Sequence, residues 1–149
     1  MIEYYRAYNI AEHDNYVKPM DGCKEVIRSL KRKHYKIGIV SSKKRNVVEM
    51  GLDLAGIRDY IDVLVCEDEV KKAKPDPEGI LKALEHLDPN ADKNKVLYIG
   101  DHPSDIKAAK AAGVKSCGVM YSSKASELDE ENPDYEIYKL VDLFVILVE

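Results

Sequence analysis

The sequence predicts an α/β fold, a parallel β-sheet flanked by helices, and three observations carry that expectation. Short apolar runs rich in β-branched residues alternate along the chain with amphipathic stretches of helical period. The runs are continuously apolar, as strands covered on both faces are. The connections are short, so consecutive strands run parallel with a helix as each crossover. A chain of 149 residues has the length of one domain with a core of its own.

The elements follow in order. Cys23, Val26, Ile27 and Leu30 fall on one face of a helix that Asp21 is placed to cap. "YKIGIV" (35–40) reads as a strand. Val47, Met50, Leu54 and Ala55 form the next helical stripe, with Gly56 as its stop. "DVLVC" (62–66) is a second strand. Ile80, Leu84 and Leu87 form a third stripe just after Pro77, a favoured first-turn residue. "KVLYIG" (95–100) is a third strand, followed by Ile106, Ala109 and Ala112 on a helix ended by Gly113, its alanines small enough for close approach to a sheet. "KSCGVM" (115–120) is a fourth strand. "SSKASELDEENP" (122–133) is polar and reads as a surface loop with one helical turn, and "DYEIY" (134–138) is a weaker fifth strand. The tail "YKLVDLFVILVE" reads as a last helix, although its β-branched content also fits a strand.

Composition narrows the class. The chain is 45% hydrophobic and 34% charged, ordinary for a globular protein, and its formal net charge of -4 gives no attraction to nucleic acid or an anionic membrane surface. The clusters "KRK" and "KKR" (31–33 and 43–45) read as solvated helix ends. Cys23, Cys66 and Cys117 are isolated, which argues against a disulfide framework and against a zinc site. They read as small buried hydrophobes. His13, His34, His86 and His102 have no ligand-like spacing and are expected at the surface. No apolar run reaches the roughly twenty residues of a membrane span, and the opening residues lack a signal-peptide pattern. The cytoplasm is the expected location.

In parallel α/β sheets, ligands bind beyond the carboxyl ends of the strands. Ser41 and Ser42 follow the first apolar run, Asp101 follows the third, Asp105 lies one helical turn on, and Lys74 sits in "KKAKPDPEG" before a helix. Singly, each has a plain structural reading: strand-end serines that cap a helix, a solvated lysine, helix N-terminal acids. Together they supply hydroxyls, a cation and carboxylates, which is a phosphate- and metal-handling set.

"KPMDG", "IGIVSSK", "AKPDP" and "YIGDHPSDIKAAKAAG", in this order and spacing, resemble the haloacid-dehalogenase-like (HAD) hydrolases, in particular the phosphoglycolate-phosphatase-like branch. The resemblance runs from about Tyr4 to the C-terminus. It implies a Rossmann-like core and Mg²⁺-dependent hydrolysis of a small phosphorylated metabolite through an aspartyl-phosphate. It implies that Ser41 hydrogen-bonds the transferring phosphoryl group, helped by Ser42, and that Lys74 offsets negative charge there. Asp101 would be the acidic ligand of Mg²⁺. Asp105 would support the metal, through a bound water or by holding neighbouring groups.

One family element has no counterpart. The first strand of the family ends in D-x-D-x-T, whose first aspartate attacks phosphorus, and no such segment occurs here. "PMDGC" has Pro19 where the nucleophile belongs. By resemblance "KPMDG" is the turn from a cap domain into the core, so residues 1–16, with Tyr4, Tyr5 and Tyr8, are expected to form the last cap helix and residues 17–149 the core. The chain is then expected to be a truncated core with its central first strand missing and no nucleophile, and to be inactive alone. The vacant strand position suggests self-association or pairing with another chain. The alternative is a non-catalytic phosphate- or Mg²⁺-binding fragment that pairs with a chain supplying the strand. A receiver-like domain phosphorylated on Asp101 also explains the alternation, but leaves "KPDP" without a role.

Overall fold

The computed structural model describes residues 4–6 and 23–147. Its strands are β1 (Tyr4–Arg6), β2 (Lys36–Val40), β3 (Val63–Val65), β4 (Val96–Gly100), β5 (Lys115–Val119) and β6 (Tyr135–Ile137). They form one sheet in the order β3-β2-β1-β4-β5-β6, and every pairing is parallel. The helices are α1 (Cys23–Arg32), α2 (Arg45–Ala55), α3 (Glu78–Leu87), α4 (Pro103–Ala112), α5 (Ala125–Glu130) and α6 (Leu143–Ile146). The expected α/β class, a Rossmann-like parallel sheet flanked by helices, is what forms.

Alternation along the strands sorts the core into two layers. Ile37 and Ile39 of β2, with Leu97 and Ile99 of β4, join Leu30 of α1, Val48 and Leu52 of α2 and Leu143 of α6. On the other face Val40, Val65, Val96 and Tyr98 meet α3 and α4 through Ile80, Leu84 and three alanines, Ala108, Ala109 and Ala112. Small residues bring these helices close. A Cβ on Gly79 would lie 2.6 Å from Val40 Cγ1. Helices α2 and α4 end at Gly56 and Gly113, whose φ angles of 71° and 80° need the left-handed region. Expected Asp21 capping falls outside the described residues.

Two segments are shorter or more regular than their sequence suggests. The polar stretch after β5 holds a six-residue helix, α5, fixed by fully buried Leu128. The tail divides into a 3₁₀ turn (Leu140–Asp142) and the single turn of α6, with Leu140 and Leu143 buried. Among the described residues, no helix is long and apolar enough to cross a membrane.

The centre of the sheet corrects an expectation. Tyr4–Arg6 is a strand, not part of a cap helix, and it fills the place expected to be vacant. Tyr4, Tyr5 and Arg6 pair with Lys36, Ile37 and Gly38 on one side and with Val96, Leu97 and Tyr98 on the other. Backbone groups left unpaired between two buried strands cost about 1–3 kcal/mol each. A β-favouring Tyr-Tyr segment therefore gains more as a strand there than from its weak helical period. Residues 7–16 of the expected cap helix, Tyr8 included, lie outside the described residues. A vacant slot for strand pairing is thus not present between β2 and β4 at these positions.

Candidate phosphate and metal site

The carboxyl ends of β2 and β4 set the site. Ser41 follows β2 directly, and its backbone N–H donates to Val65 O (2.9 Å), extending the ladder to β3. Its Oγ accepts from Lys43 N–H (3.0 Å), a short turn that steers the chain toward α2. Ser41 is buried and Ser42 exposed at the rim.

At the end of β4 the backbone itself is the device. A Cβ on Gly100 would lie 2.2 Å from Asp105 Cβ, so glycine lets the first turn of α4 fold back on the strand end. Asp105 Oδ2 accepts from the N–H groups of Asp101 and His102 (both 3.2 Å), capping the helix start. His102 completes the cap: its Nδ1 accepts from Ser104 N–H (3.1 Å). Pro103 takes the first helical position. The positive end of the α4 dipole lies at Asp101 and favours negative charge there.

Lys74 reaches Asp105 from the loop between β3 and α3. Its Nζ donates to Asp105 Oδ1 at 2.5 Å, and the two side chains are 6% and 2% exposed. The Lys74–Pro75 peptide bond is cis. Other contacts secure the same loop. The N–H groups of Lys71 and Lys72 donate to the Glu78 carboxylate (2.9 and 3.0 Å), which lowers its pKa. Glu67 N–H donates to Lys43 O (3.0 Å). Arg45 forms a forked contact to Glu69 (Nε 3.1 Å, Nη2 2.8 Å), the main reason Glu69 titrates below the ordinary range.

These parts surround a cavity of about 570 Å³. Ser42, Lys74, Asp101 and Asp105 line it together; Ser41 lies beside it, in a small recess it shares with Ser42 and Lys74. Sequence reasoning missed other lining residues: Lys43, His102, Ser104 and the Ser122–Ser123–Lys124 turn. The strand-end rule applied to β5 would have found that turn. Ser122 Oγ donates to Asp101 O (2.9 Å) and ties it to the site. His34, His86 and His102 are exposed, as expected. Cys66 and Cys117 are buried, and burial pushes their thiols up to about 12.

Among the described residues, no three His, Cys, Asp or Glu side chains gather as a metal cluster. The acids lining the cavity are Asp101 and Asp105. Both Asp105 oxygens are engaged, one by Lys74 and one by the helix-start amides. Asp101 is half-buried at the rim and offers a hard oxygen donor beside open volume for water. That donor chemistry fits Mg²⁺, which takes one or two carboxylates and keeps waters.

Comparison with known proteins gives the family. A family model described as haloacid dehalogenase-like hydrolase matches residues 1–119. A Bacillus cereus protein named pyrophosphatase PpaX is 40% identical over 148 residues, which cover 99% of this chain and 68% of that protein. Its Listeria monocytogenes namesake is also 40% identical, with 67% of its length covered. Among solved structures, a Thermotoga maritima chain described as a β-phosphoglucomutase superposes with a TM-score of 0.76 at 31% identity, over 85% of this chain and 58% of that one. Bacillus subtilis YfnB, described as a HAD hydrolase bound to magnesium, gives 0.74 at 25% identity, over 86% and 54%. The chain thus spans less than two thirds of these solved structures. With the strand order, the Ser41 and Gly100 strand ends and the Lys74–Asp105 pair in place, the chain belongs to the haloacid dehalogenase-like hydrolases.

Proposed function

We propose that this chain is the core of a Mg²⁺-dependent phosphomonoester hydrolase of the phosphoglycolate-phosphatase-like branch, handling a small phosphorylated metabolite through an aspartyl-phosphate. One observation carries the reading: a buried lysine–aspartate pair at the foot of α4, beside Asp101 and the serines that end β2, around one cavity and the small recess next to it. Relatives named for pyrophosphatase and phosphoglucomutase activity add phosphoryl transfer as the shared chemistry.

Phosphoryl transfer is mostly positioning and charge stabilisation. Ser41 and Ser42 would hold phosphoryl oxygens through their hydroxyls, the Ser41 N–H being taken by Val65 O. Lys74 would offset charge on those oxygens, and Asp105 would keep the ammonium aimed while fixing the Asp101 turn. Asp101 would hold Mg²⁺. When bound, the metal would neutralise charge on the phosphoryl group.

The 149 residues hold no D-x-D-x-T segment. We therefore expect little turnover from the chain by itself, since the covalent route lacks its nucleophile. The purified chain is assayed with p-nitrophenyl phosphate and with pyrophosphate, with and without Mg²⁺. Robust Mg²⁺-dependent hydrolysis would contradict the expected inactivity. A second reading, binding of phosphate and Mg²⁺ without turnover, is favoured by the central strand: Tyr4–Arg6 brings no carboxylate to the rim. Adding a peptide with an apolar strand ending in D-x-D, which must displace Tyr4–Arg6 from between β2 and β4, separates the two. Turnover that appears only with the peptide supports the hydrolase core; binding with no turnover supports the second reading.

A further inference from the structure

His102 is an uncommon residue at a helix start. Asn, Asp, Ser and Thr cap well, yet at α4 an imidazole does so. The His102 backbone N–H donates to Asp105 Oδ2 (3.2 Å), and ring Nδ1 accepts from Ser104 N–H (3.1 Å). Ser104 Oγ lies 2.9 Å from the same nitrogen. Backbone and ring are both held, and His102 lines the cavity next to Asp101.

These contacts fix the tautomer. A nitrogen that accepts from a backbone N–H carries no proton, so the neutral ring has its hydrogen on Nε2. The Ser104 hydroxyl then donates to Nδ1 as well. Nε2–H is left as a donor only, and among the described residues it has no hydrogen-bond partner. Such a ring is no ligand for the metal: Nδ1 is engaged, Nε2 is protonated, and Mg²⁺ prefers oxygen. Other donors of the lining are already committed within the protein. Lys74 donates to Asp105, and Ser122 Oγ donates to Asp101 O.

A lone donor facing a cavity fits an anion. We propose that His102 is a phosphate-binding residue of this site. Its neutral ring donates Nε2–H to a phosphoryl oxygen while Nδ1 keeps the start of α4 capped. The proposal rests on the phosphate-site reading above and adds a residue to it. No proton moves in this role; the ring binds and orients. An aspartate in its place would cap the helix as well, but it would set a third carboxylate against the anion.

Two amide variants separate the two halves of the ring. Asn keeps an acceptor near the place of Nδ1 and loses Nε2, whereas Gln carries an amide N–H near Nε2 and lacks the short acceptor of a good cap. The full chain in Mg²⁺ is titrated calorimetrically with inorganic phosphate, alongside thermal unfolding and with Lys74→Met as a reference. His102→Asn should bind phosphate about 10-fold more weakly, the scale of a hydrogen bond to a charged group, with an unchanged unfolding midpoint. His102→Gln should stay within about 3-fold of the unaltered chain in affinity and unfold at lower temperature. Long-range nitrogen–proton NMR of the unaltered chain, at about pH 8 and so above the ordinary imidazole range, should show the His102 hydrogen on Nε2. Added phosphate should shift that nitrogen and leave His34 and His86, which are not on the lining, in place. Unchanged affinity in His102→Asn, equal losses in the two variants, a hydrogen on Nδ1 or a ring signal that ignores phosphate overturns the role of His102; a loss of binding in Lys74→Met then leaves the phosphate site standing. If His102→Asn also unfolds early, the ring signal decides. No binding by the unaltered chain, or binding indifferent to Lys74→Met, overturns the phosphate-site reading and the part of His102 in it.

Discussion

Two ion pairs fasten the Lys74 loop to its neighbours, and they differ in nearly everything but charge. Lys74–Asp105 is 6% and 2% exposed and lies at the cavity floor; Arg45–Glu69 is 39% and 37% exposed and lies outside it. The outer pair also holds backbone: Arg45 donates to Leu64 O (2.8 Å) at the edge strand and Glu69 Oε1 accepts from Cys66 N–H (3.1 Å). Exposed pairs contribute little because water already solvates both partners. A buried pair costs desolvation that its mutual attraction must offset, so it is weak evidence of a stabilising role. The outer contact reads as scaffolding, and the proposed function gives the buried inner pair its reason: it aims Lys74 at the phosphate site.

The sharpest way to break that contrast is to remove one inner partner. Asp105→Ala should destabilise the chain by about 3–5 kcal/mol, because it leaves a buried ammonium without a counter-charge. Replacing both, Lys74→Met with Asp105→Leu, should cost clearly less than either single change. Urea unfolding checks both. A double variant as unstable as Asp105→Ala would mean that the pair, or the Asp105 cap on the Asp101 and His102 amides, stabilises the fold.

Gly100→Ala should come next, at about 1–3 kcal/mol, the range for overpacking. Its added methyl meets Asp105 and must push the α4 start outward. Thermal unfolding measures the loss, and an unchanged midpoint would show that the turn yields easily.

The smallest effect belongs to the outer pair. Glu69→Gln should cost at most about 1 kcal/mol, and less at high salt. Arg45 lowers the folded-state pKa of Glu69. Its contribution is therefore present above the unfolded value of about 4.3 and lost as pH falls through the depressed folded value. The difference between Glu69→Gln and the unaltered chain should shrink as acid is added. A difference that grows with acid would contradict the assignment.

The parts of this molecule that read well from sequence are those with local causes. The four buried apolar runs, the glycine stops at Gly56 and Gly113 and the close-packed alanines of α4 each carry their signal within a few residues. Lys74 and Asp105 are 31 residues apart, and no local pattern encodes their contact; the strand-end rule and their combined chemistry group them, and the family resemblance only adds their roles. The role of Asp105 in holding Lys74 and the Asp101 turn needed the fold. Tyr4–Arg6 misled because its three residues take their state from the strands on either side. The Ser122–Lys124 turn stays hidden because a polar surface loop and a cavity-lining loop have the same composition until Ser122 is seen to tie it to Asp101.

The most direct test is titration of orthophosphate into the full chain and its Asp101→Asn variant, each with and without Mg²⁺. Binding that needs Mg²⁺ and disappears in Asp101→Asn is the predicted result. Equal affinity in all four conditions would mean that this strand-end rim is not a metal-assisted phosphate site.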